Sequence, residues 1–281
     1  MRVAVIGTGM MGAGMARSMQ RAGLEVIAWN RTAAKAQALA EDGVTVADSV
    51  ADAMTGAETV ITMLFDAEAV LAVTPEITGC LGANSVWLQS ATVGPDGIRK
   101  IAERASGAQL LDAPVLGTRE PAEQGRLVPI VSGEPRLIER VRPALDAIGA
   151  KTVVAGERLG DASALKLACN AWLLSITAAT AQSVAMARAA GLDPRLFLDA
   201  IDGGPVNSPM AQLKGKAMIA GDFAPSFGLA GGSKDLHLMA QTADGIDTAL
   251  LDGVRALFDR ASEAGHGDED VAAVYTAVVR R

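Results

Sequence analysis

A glycine motif between two apolar segments constrains the fold of this chain most strongly. The apolar run Met1–Ile6 leads directly into Gly7-Thr8-Gly9-Met10-Met11-Gly12, and a helical pattern follows over Gly14–Arg21. A second apolar run, Leu24–Trp29, comes next. This order predicts a strand–helix–strand unit of about 30 residues in which the glycine loop joins the first strand to the helix.

The three glycines have separate purposes in such a loop. Gly7 permits a tight turn, Gly9 lets the backbone approach a pyrophosphate, and Gly12 allows the helix to pack closely on the strand. Free N–H groups at the helix N-terminus then bind the phosphates. We therefore predict a dinucleotide site rather than an ordinary glycine-rich turn, with cofactor-binding candidates Gly7, Thr8, Gly9, Met10, Met11 and Gly12.

The end of the second strand indicates which dinucleotide binds. A carboxylate at this point would bind the ribose hydroxyls of NAD, but this chain has Asn30-Arg31-Thr32. The Arg31 guanidinium suits bidentate contact with a 2′-phosphate, and Asn30 and Thr32 offer further donors. NADP(H) is therefore expected in preference to NAD(H). The alternative is that Arg31 is a solvated surface residue and Thr32 caps a helix over Ala33–Glu41.

Strand-like runs recur along the first half of the chain with helical patterns between them. This alternation predicts an α/β Rossmann domain with a doubly wound parallel sheet over residues 1–159, followed by an all-helical domain over residues 160–281. The predicted strands are Arg2–Ile6, Glu25–Trp29, Thr59–Leu64, Ser85–Gln89, Gln109–Ala113, Leu127–Ser132 and Lys151–Val154.

Net charge and cysteine content limit the classes of binding partner and the cellular compartment that we expect. The net charge is −7. This argues against a nucleic acid or an anionic membrane surface as partner, because each would require a basic face. The two cysteines, Cys80 and Cys169, suggest neither a bridge nor a metal site, so a reduced, cytoplasmic setting is expected and no metal is predicted.

A long apolar helix is predicted from Asp161 to Ala190. Its polar residues make a membrane span improbable. Because apolar residues surround almost the whole cylinder, the helix must be buried inside the second domain or against a partner chain. We therefore expect a homodimer, or a higher homo-oligomer, formed through the helical domain.

Lys166 and Asn170 are the two polar residues of this helix that suit chemistry. They are one turn apart and project from the same face of an otherwise apolar segment. A desolvated lysine has a lowered pKa and exchanges protons near neutral pH, which suits general acid–base catalysis on a carbonyl or hydroxyl. On spacing alone, a lysine whose ammonium group reaches water is an equally good interpretation.

Four motifs in order, covering nearly the whole chain, resemble the β-hydroxyacid dehydrogenase family. The glycine motif continues to Met19 and is followed by the Asn30-Arg31-Thr32 segment. The substrate loop corresponds to Asp112–Leu127, and the catalytic lysine segment to Gly160–Ala171. The family's Lys-Asp motif corresponds to Lys234–Ala240.

The resemblance implies roles for individual residues. Lys166 stands at the position of the catalytic lysine and Asn170 at that of its companion, and both also contact substrate. Thr92 and Lys234 match cofactor-contacting positions, and Leu64, which closes the run Thr59–Leu64, is a further cofactor candidate. The remaining substrate-binding candidates are Leu116, Gly117 and Thr118.

The chain departs from the family pattern at several positions. Leu116 replaces a serine whose hydroxyl helps to hold the substrate carboxylate, so small hydroxy acids are expected to bind weakly. Gln89 and Ala91 stand where an acidic residue and a serine are common. Ala162 replaces a glycine.

Taken together, the residues and the resemblance predict an NADPH-dependent oxidoreductase. It would transfer hydride between the nicotinamide and a small aldehyde, keto acid or β-hydroxy acid. One alternative is an imine reductase, a group similar in fold and N-terminal motif that typically carries Asp or Tyr in place of the lysine. Another is a nucleotide-binding sensor or scaffold without catalysis, against which Lys166, Asn170 and Lys234 together argue.

Overall fold

The structure is a computed structural model that describes residues 1–279. The chain divides into two compact units, Met1–Lys166 and a second unit that begins at Leu167. The predicted division between residues 159 and 160 falls just before a long helix that starts in the first unit and continues into the second.

Within the described residues, the first unit contains a nine-stranded sheet with the order β3-β2-β1-β4-β5-β6-β8-β7, in which β9 also pairs with β8. The strands are β1 (Arg2–Ile6), β2 (Glu25–Trp29), β3 (Thr45–Val46), β4 (Thr59–Thr62), β5 (Val86–Gln89), β6 (Leu110–Asp112), β7 (Val115–Leu116), β8 (Val128–Ser132) and β9 (Val153–Gly156).

The sheet confirms the predicted doubly wound architecture, with two additions. Strands β1 to β6 pair in parallel, but β8 runs antiparallel to both β6 and β7. The strands β3 and β7 are absent from the prediction because each has only two residues, too few to show an alternating pattern.

Helices cover both faces of the sheet, which explains why its strands are apolar on both sides. Val3 and Val5 of β1 belong to one core, whereas Ala4 and Ile6 belong to the opposite one. The helices of this unit are α1 (Met10–Arg21), α2 (Ala33–Gln37), α3 (Val50–Met54), α4 (Ala67–Cys80), α5 (Gly94–Arg104), α6 (Arg119–Glu123), α7 (Pro135–Arg140) and α8 (Arg142–Ile148).

The second unit is helical, as predicted. Its core surrounds Leu174, Leu236 and Phe258, all fully buried. The long helix α9 (Asp161–Ala189) is followed by α10 (Arg195–Ile201), α11 (Pro209–Ala220), α12 (Leu229–Thr242), α13 (Ala249–Ala261) and α14 (Tyr275–Val278). A π-helical turn, Ser262–His266, and a 3₁₀ helix, Val271–Val274, join the last two.

Helix α9 is less buried than its apolar sequence predicts. By length and composition it is the one helix among the described residues that could cross a membrane. That is weak evidence, because the core helix of a soluble protein passes the same test. The protein buries only 44% of its most apolar window, and Trp172 and Met186 are 71% and 66% exposed. The chain alone therefore does not bury this helix along most of its length.

The first turn of α9 is held by two polar residues at the ends of strands. Asp112, the last residue of β6, accepts hydrogen bonds from the backbone N–H of Gly160 (3.1 Å) and of Ser163 (2.8 Å), and from the Ser163 hydroxyl (2.8 Å). Ser132, the last residue of β8, accepts one from the N–H of Ala162 at 3.0 Å. These bonds satisfy donors that a helix N-terminus otherwise leaves unpaired.

The carboxyl group of Asp112 is fully buried, and this burial dominates its titration. Burial raises the pKa of Asp112 to about 6, although the bonds from Ser163 and Gly160 act in the opposite direction. Between pH 4 and pH 6 the folded protein therefore holds a proton here that the unfolded chain has lost.

We expect the contribution of Asp112 to the free energy of unfolding to fall as the pH rises from 4 to 6, and to stay constant above that. Relative to Asp112→Asn, which does not titrate, the wild type should lose up to about 3 kcal/mol over this range. Urea unfolding of both proteins at several pH values measures the difference. Asp96→Asn, at an exposed carboxylate on α5, is the control. A wild-type-minus-variant difference that is flat across this range would contradict the prediction.

Candidate active site

The glycine loop lies between β1 and α1, where its outer two glycines are required by packing. Gly7 has a φ of +104°, and a Cβ there would lie 2.4 Å from the carbonyl oxygen of Met63. A Cβ on Gly12 would lie 1.9 Å from the carbonyl oxygen of Gly7. Any side chain at either position would therefore displace backbone.

Gly9 differs from Gly7 and Gly12. Apart from Gly9 itself and its two chain neighbours, no atom of residues 1–279 lies within 4 Å of the position that a Cβ would take. Gly9 directly precedes α1, whose first turn contains no acidic residue. The glycine thus leaves open space at a helix N-terminus, where an anion is favoured.

Thr8 adds a second sign that this loop is built for a ligand. Its hydroxyl oxygen is buried and forms no hydrogen bond to any residue that the structure describes. A buried hydroxyl without a partner costs free energy that a bound polar group would recover. The open space at Gly9 and the hydroxyl of Thr8 together fit a dinucleotide pyrophosphate.

The sheet order places this loop where nucleotide ligands bind in such folds. Strand β1 lies between β2 and β4, so the connections after β1 and β4 leave the sheet in opposite directions. The crevice formed at such a point, outside the carboxyl ends of the strands, is the usual ligand site of an open α/β sheet. Leu64, just past the end of β4, is half-buried there, and its Cδ2 lies 2.7 Å from the position of a Gly7 Cβ.

In the segment Asn30-Arg31-Thr32 after β2, Asn30 has a structural role. The side-chain oxygen of Asn30 accepts a hydrogen bond from the N–H of Thr8 at 3.0 Å, and its NH₂ group donates to the carbonyl of Thr32 at 3.0 Å. Asn30 therefore ties the glycine loop to the end of β2, a role that the sequence analysis did not anticipate.

Arg31 and Thr32 remain accessible to a ligand. Both are exposed, and the Thr32 hydroxyl does not cap α2, although Thr32 stands at its N-cap position. Lys35, exposed on α2, is a second cation near Arg31 along the chain that was not predicted from the sequence. The sequence indicated this residue only through its spacing, because Lys35 follows Thr32 by about one helical turn.

The predicted substrate loop starts at the short strand β7. Leu116 is half-buried and pairs with Val128. Gly117 has a φ of +131°, and a Cβ there would lie 2.6 Å from Cδ2 of Leu127. Thr118 precedes α6, but its hydroxyl does not cap that helix. The loop thus has a backbone conformation that favours glycine, next to a Thr118 hydroxyl that does not cap α6.

Lys166 and Asn170 lie on the continuous helix α9, one turn apart and on one side of it. Both are buried, with 7% and 1% of their surface exposed. Most of the Lys166 side chain is therefore withdrawn from solvent, on the same side of α9 as Asn170.

Asp235 joins two of the predicted site residues, Asn170 and Lys234. Its Oδ2 accepts a hydrogen bond from the Asn170 NH₂ group at 2.6 Å, and its Oδ1 lies 2.7 Å from the Lys234 ammonium nitrogen. A carboxylate only accepts, so Asn170 directs its NH₂ group to Asp235 and turns its oxygen elsewhere. Asp235 belongs to the motif that begins at Lys234, but this role was not predicted from the sequence. The sequence feature that could have indicated this role is the carboxylate next to Lys234 on a helix with a buried face.

His237 and possible metal ligands are the remaining groups that could take part in chemistry. His237 on α12 is 3.1 Å from Asp259 of α13 and mostly exposed, consistent with a residue on a helix surface. Among residues 1–279, no cluster of three or more His, Cys, Asp or Glu side chains is placed to hold a metal ion.

Family models match both halves of the chain. Residues 2–156 match the NAD binding domain of 6-phosphogluconate dehydrogenase. Residues 160–278 match the NAD-binding domain of NADP-dependent 3-hydroxyisobutyrate dehydrogenase.

Individual proteins give the same result. Glyoxylate/succinic semialdehyde reductase 1 of Arabidopsis thaliana is 30% identical over 99% of this chain and 98% of its own length. The structure of 3-hydroxyisobutyrate dehydrogenase from Salmonella typhimurium is 27% identical, with a TM-score of 0.90 over 98% of this chain and 99% of the other. An imine reductase from Streptomyces aurantiacus is 26% identical, but its TM-score is 0.65 over the full length of both chains. This chain therefore belongs to the β-hydroxyacid dehydrogenase family and is an NAD(P)-dependent oxidoreductase that acts on CH–OH groups.

Proposed function

We propose that the protein is an NADPH-dependent reductase of a small aldehyde or keto acid that also oxidises the corresponding β-hydroxy acid. The observation that carries this proposal is the burial of Lys166 one turn before Asn170, whose amide is oriented by Asp235. A buried lysine beside an oriented amide suits proton transfer to an oxygen atom that becomes negatively charged.

Each residue has a defined task in this reaction. When bound, the nicotinamide exchanges a hydride with the substrate carbon. Lys166 donates a proton to the alkoxide oxygen during reduction and accepts it during oxidation. Asn170, held by Asp235, orients the lysine or the substrate oxygen. The backbone at Gly117 and the hydroxyl of Thr118 hold the polar end of the substrate.

Replacing Lys166 tests the catalytic assignment. We expect Lys166→Met to fold and to bind NADPH, because methionine fills similar space, but to lose turnover by about 10² to 10⁴ as the general acid is removed. Steady-state kinetics and calorimetric titration with NADPH measure the two properties. Lys216→Met, at an exposed lysine of α11, is the matched control. Turnover close to the wild-type value would show that Lys166 is not the proton donor.

The preference for NADPH is proposed from the exposed cations after β2. Arg31 and Lys35 are both accessible, and no carboxylate ends this strand to repel a 2′-phosphate. The hydroxyl of Thr32 is not used to cap α2 and offers a further donor.

We expect NADPH to bind at least about tenfold more tightly than NADH, a difference of about 1.4 kcal/mol that one charge-assisted contact supplies. Arg31→Ala should remove most of this ratio by weakening NADPH alone. Arg99→Ala, at an exposed arginine of α5 in the same unit, should leave it unchanged. An Arg31→Ala protein with the wild-type NADPH affinity would mean that Arg31 is only a surface charge.

Substrate range is proposed from Leu116. A leucine in place of a serine removes a hydrogen-bond donor and adds an apolar surface, which disfavours small, highly polar acids. We expect longer or less polar carbonyl compounds to be better substrates than glyoxylate.

Leu116→Ser should raise kcat/KM for short semialdehyde acids and lower it for apolar aldehydes, each by about fivefold for a net hydrogen bond of about 1 kcal/mol. A panel of both substrate classes with the two proteins measures the change. If the wild type already prefers glyoxylate and the substitution has no effect, Leu116 does not face the substrate.

Imine reduction is the second candidate, favoured by the apolar Leu116 and by the similarity to an imine reductase structure. The lysine at position 166 argues against it. Cyclic imines in the same assay panel distinguish the two, and NADPH binding without any turnover would indicate a sensor or scaffold instead.

The proposal includes a homodimer, or a higher homo-oligomer, formed through the helical unit. Trp172 and Met186 leave large apolar surfaces of α9 uncovered by the chain itself. Exposed apolar surface of this kind marks a contact with another molecule, and a second copy is the simplest partner.

A further inference from the structure

The turn after β5 is shaped by one buried amide. The side-chain oxygen of Gln89 accepts a hydrogen bond from the N–H of Ala91 at 2.9 Å, and its NH₂ group donates to the carbonyl oxygen of Ala91 at 2.9 Å. The two bonds close a ring that fixes both polar groups of the residue just before Thr92. Gln89 and Ala91 are fully buried.

This pairing needs an amide. Ala91 presents one donor and one acceptor, and only a side chain that offers one of each matches both. An ionised Asp or Glu accepts but does not donate, so it would leave the Ala91 carbonyl without this partner. The glutamine, which departs from the acidic residue common in the family, therefore forms a contact that a carboxylate at this position would not.

Further bonds hold Gln89 itself in place. The indole N–H of Trp87 donates to the hydroxyl of Thr62 at 3.0 Å, and that hydroxyl donates to the Gln89 oxygen at 3.3 Å. Thr62 and Gln89 are register partners on adjacent strands, so their side chains lie on one face of the sheet. The amide is thus fixed before any ligand binds.

We propose that Gln89 is a positioning residue for the cofactor, acting through the turn Ser90–Thr92. This inference rests on the proposed function, in which Thr92 contacts the dinucleotide. The turn follows β5, the strand next to β4 at the carboxyl edge where the glycine loop also lies. Gln89 does not touch the cofactor; it fixes the backbone that presents Thr92.

A double-mutant cycle tests this proposal. Gln89→Met keeps the side-chain length without the two bonds, and should raise the Kd for NADPH about tenfold while changing kcat at saturating NADPH less than twofold. Thr92→Val should raise the same Kd. Both substitutions act through the same contact between Thr92 and the cofactor. The Kd of the double variant for NADPH should therefore be little higher than that of the single variant that binds NADPH more weakly.

Thr74→Val is the matched control, since it removes a buried threonine hydroxyl that donates to the carbonyl oxygen of Val70 within α4 and leaves the bonds around Gln89 intact. Its Kd should stay within twofold of the wild type. Unfolding midpoints of all variants are measured alongside, to separate a loss of stability from a loss of affinity. If Gln89→Met does not fold, Gln89→Glu is the alternative; its ionised carboxylate lacks the donor to Ala91, adds a buried charge and should still weaken NADPH binding.

Several results would overturn the inference. One is an unchanged Kd in Gln89→Met or, where that variant does not fold, in Gln89→Glu. Another is a double variant in which the two losses of affinity multiply. A third is a loss of affinity in Thr74→Val as large as that in Gln89→Met. Failure of the proposed function is recognised separately, because the wild type would then not bind NADPH, or Lys166→Met would keep its turnover.

Discussion

The carboxylate of Asp112 determines where the longest helix of the protein begins. It ends β6 and accepts two backbone N–H groups and one hydroxyl from the first turn of α9. Burying a carboxyl group is unfavourable, and its pKa is raised for that reason, yet the donors of a helix N-terminus offset much of the cost. The position of Lys166, little more than a turn further along the helix, follows from this attachment.

Asp112 is one member of a buried polar row at the carboxyl edge of the sheet. Thr62, Gln89, Asp112 and Ser132 are register neighbours on β4, β5, β6 and β8, and all are fully buried or nearly so. Each lies at the end of a strand whose other residues are largely apolar. These polar groups hold two segments that follow the strands. Gln89, which accepts a bond from Thr62, bonds the turn before Thr92. Asp112 and Ser132 bond the first turn of α9.

The second unit fixes its polar groups by a comparable pairing. Asp235 lies between Asn170 and Lys234, so one buried carboxylate orients an amide and compensates an ammonium group. Removing either partner would leave Asp235 buried with an unmet charge or bond, which is why such groups occur together.

The sequence alone determined the fold class, the glycine loop and the family, because strand–helix alternation and glycine spacing are local properties. It also identified Lys166 and Asn170 as one face of a helix. The short strands β3 and β7, the tie between Asn30 and Thr8, and the roles of Gln89 and Asp235 were decided only by the tertiary structure. These depend on hydrogen bonds between segments far apart in the chain or on backbone turns, and no periodic pattern records which donor meets which acceptor.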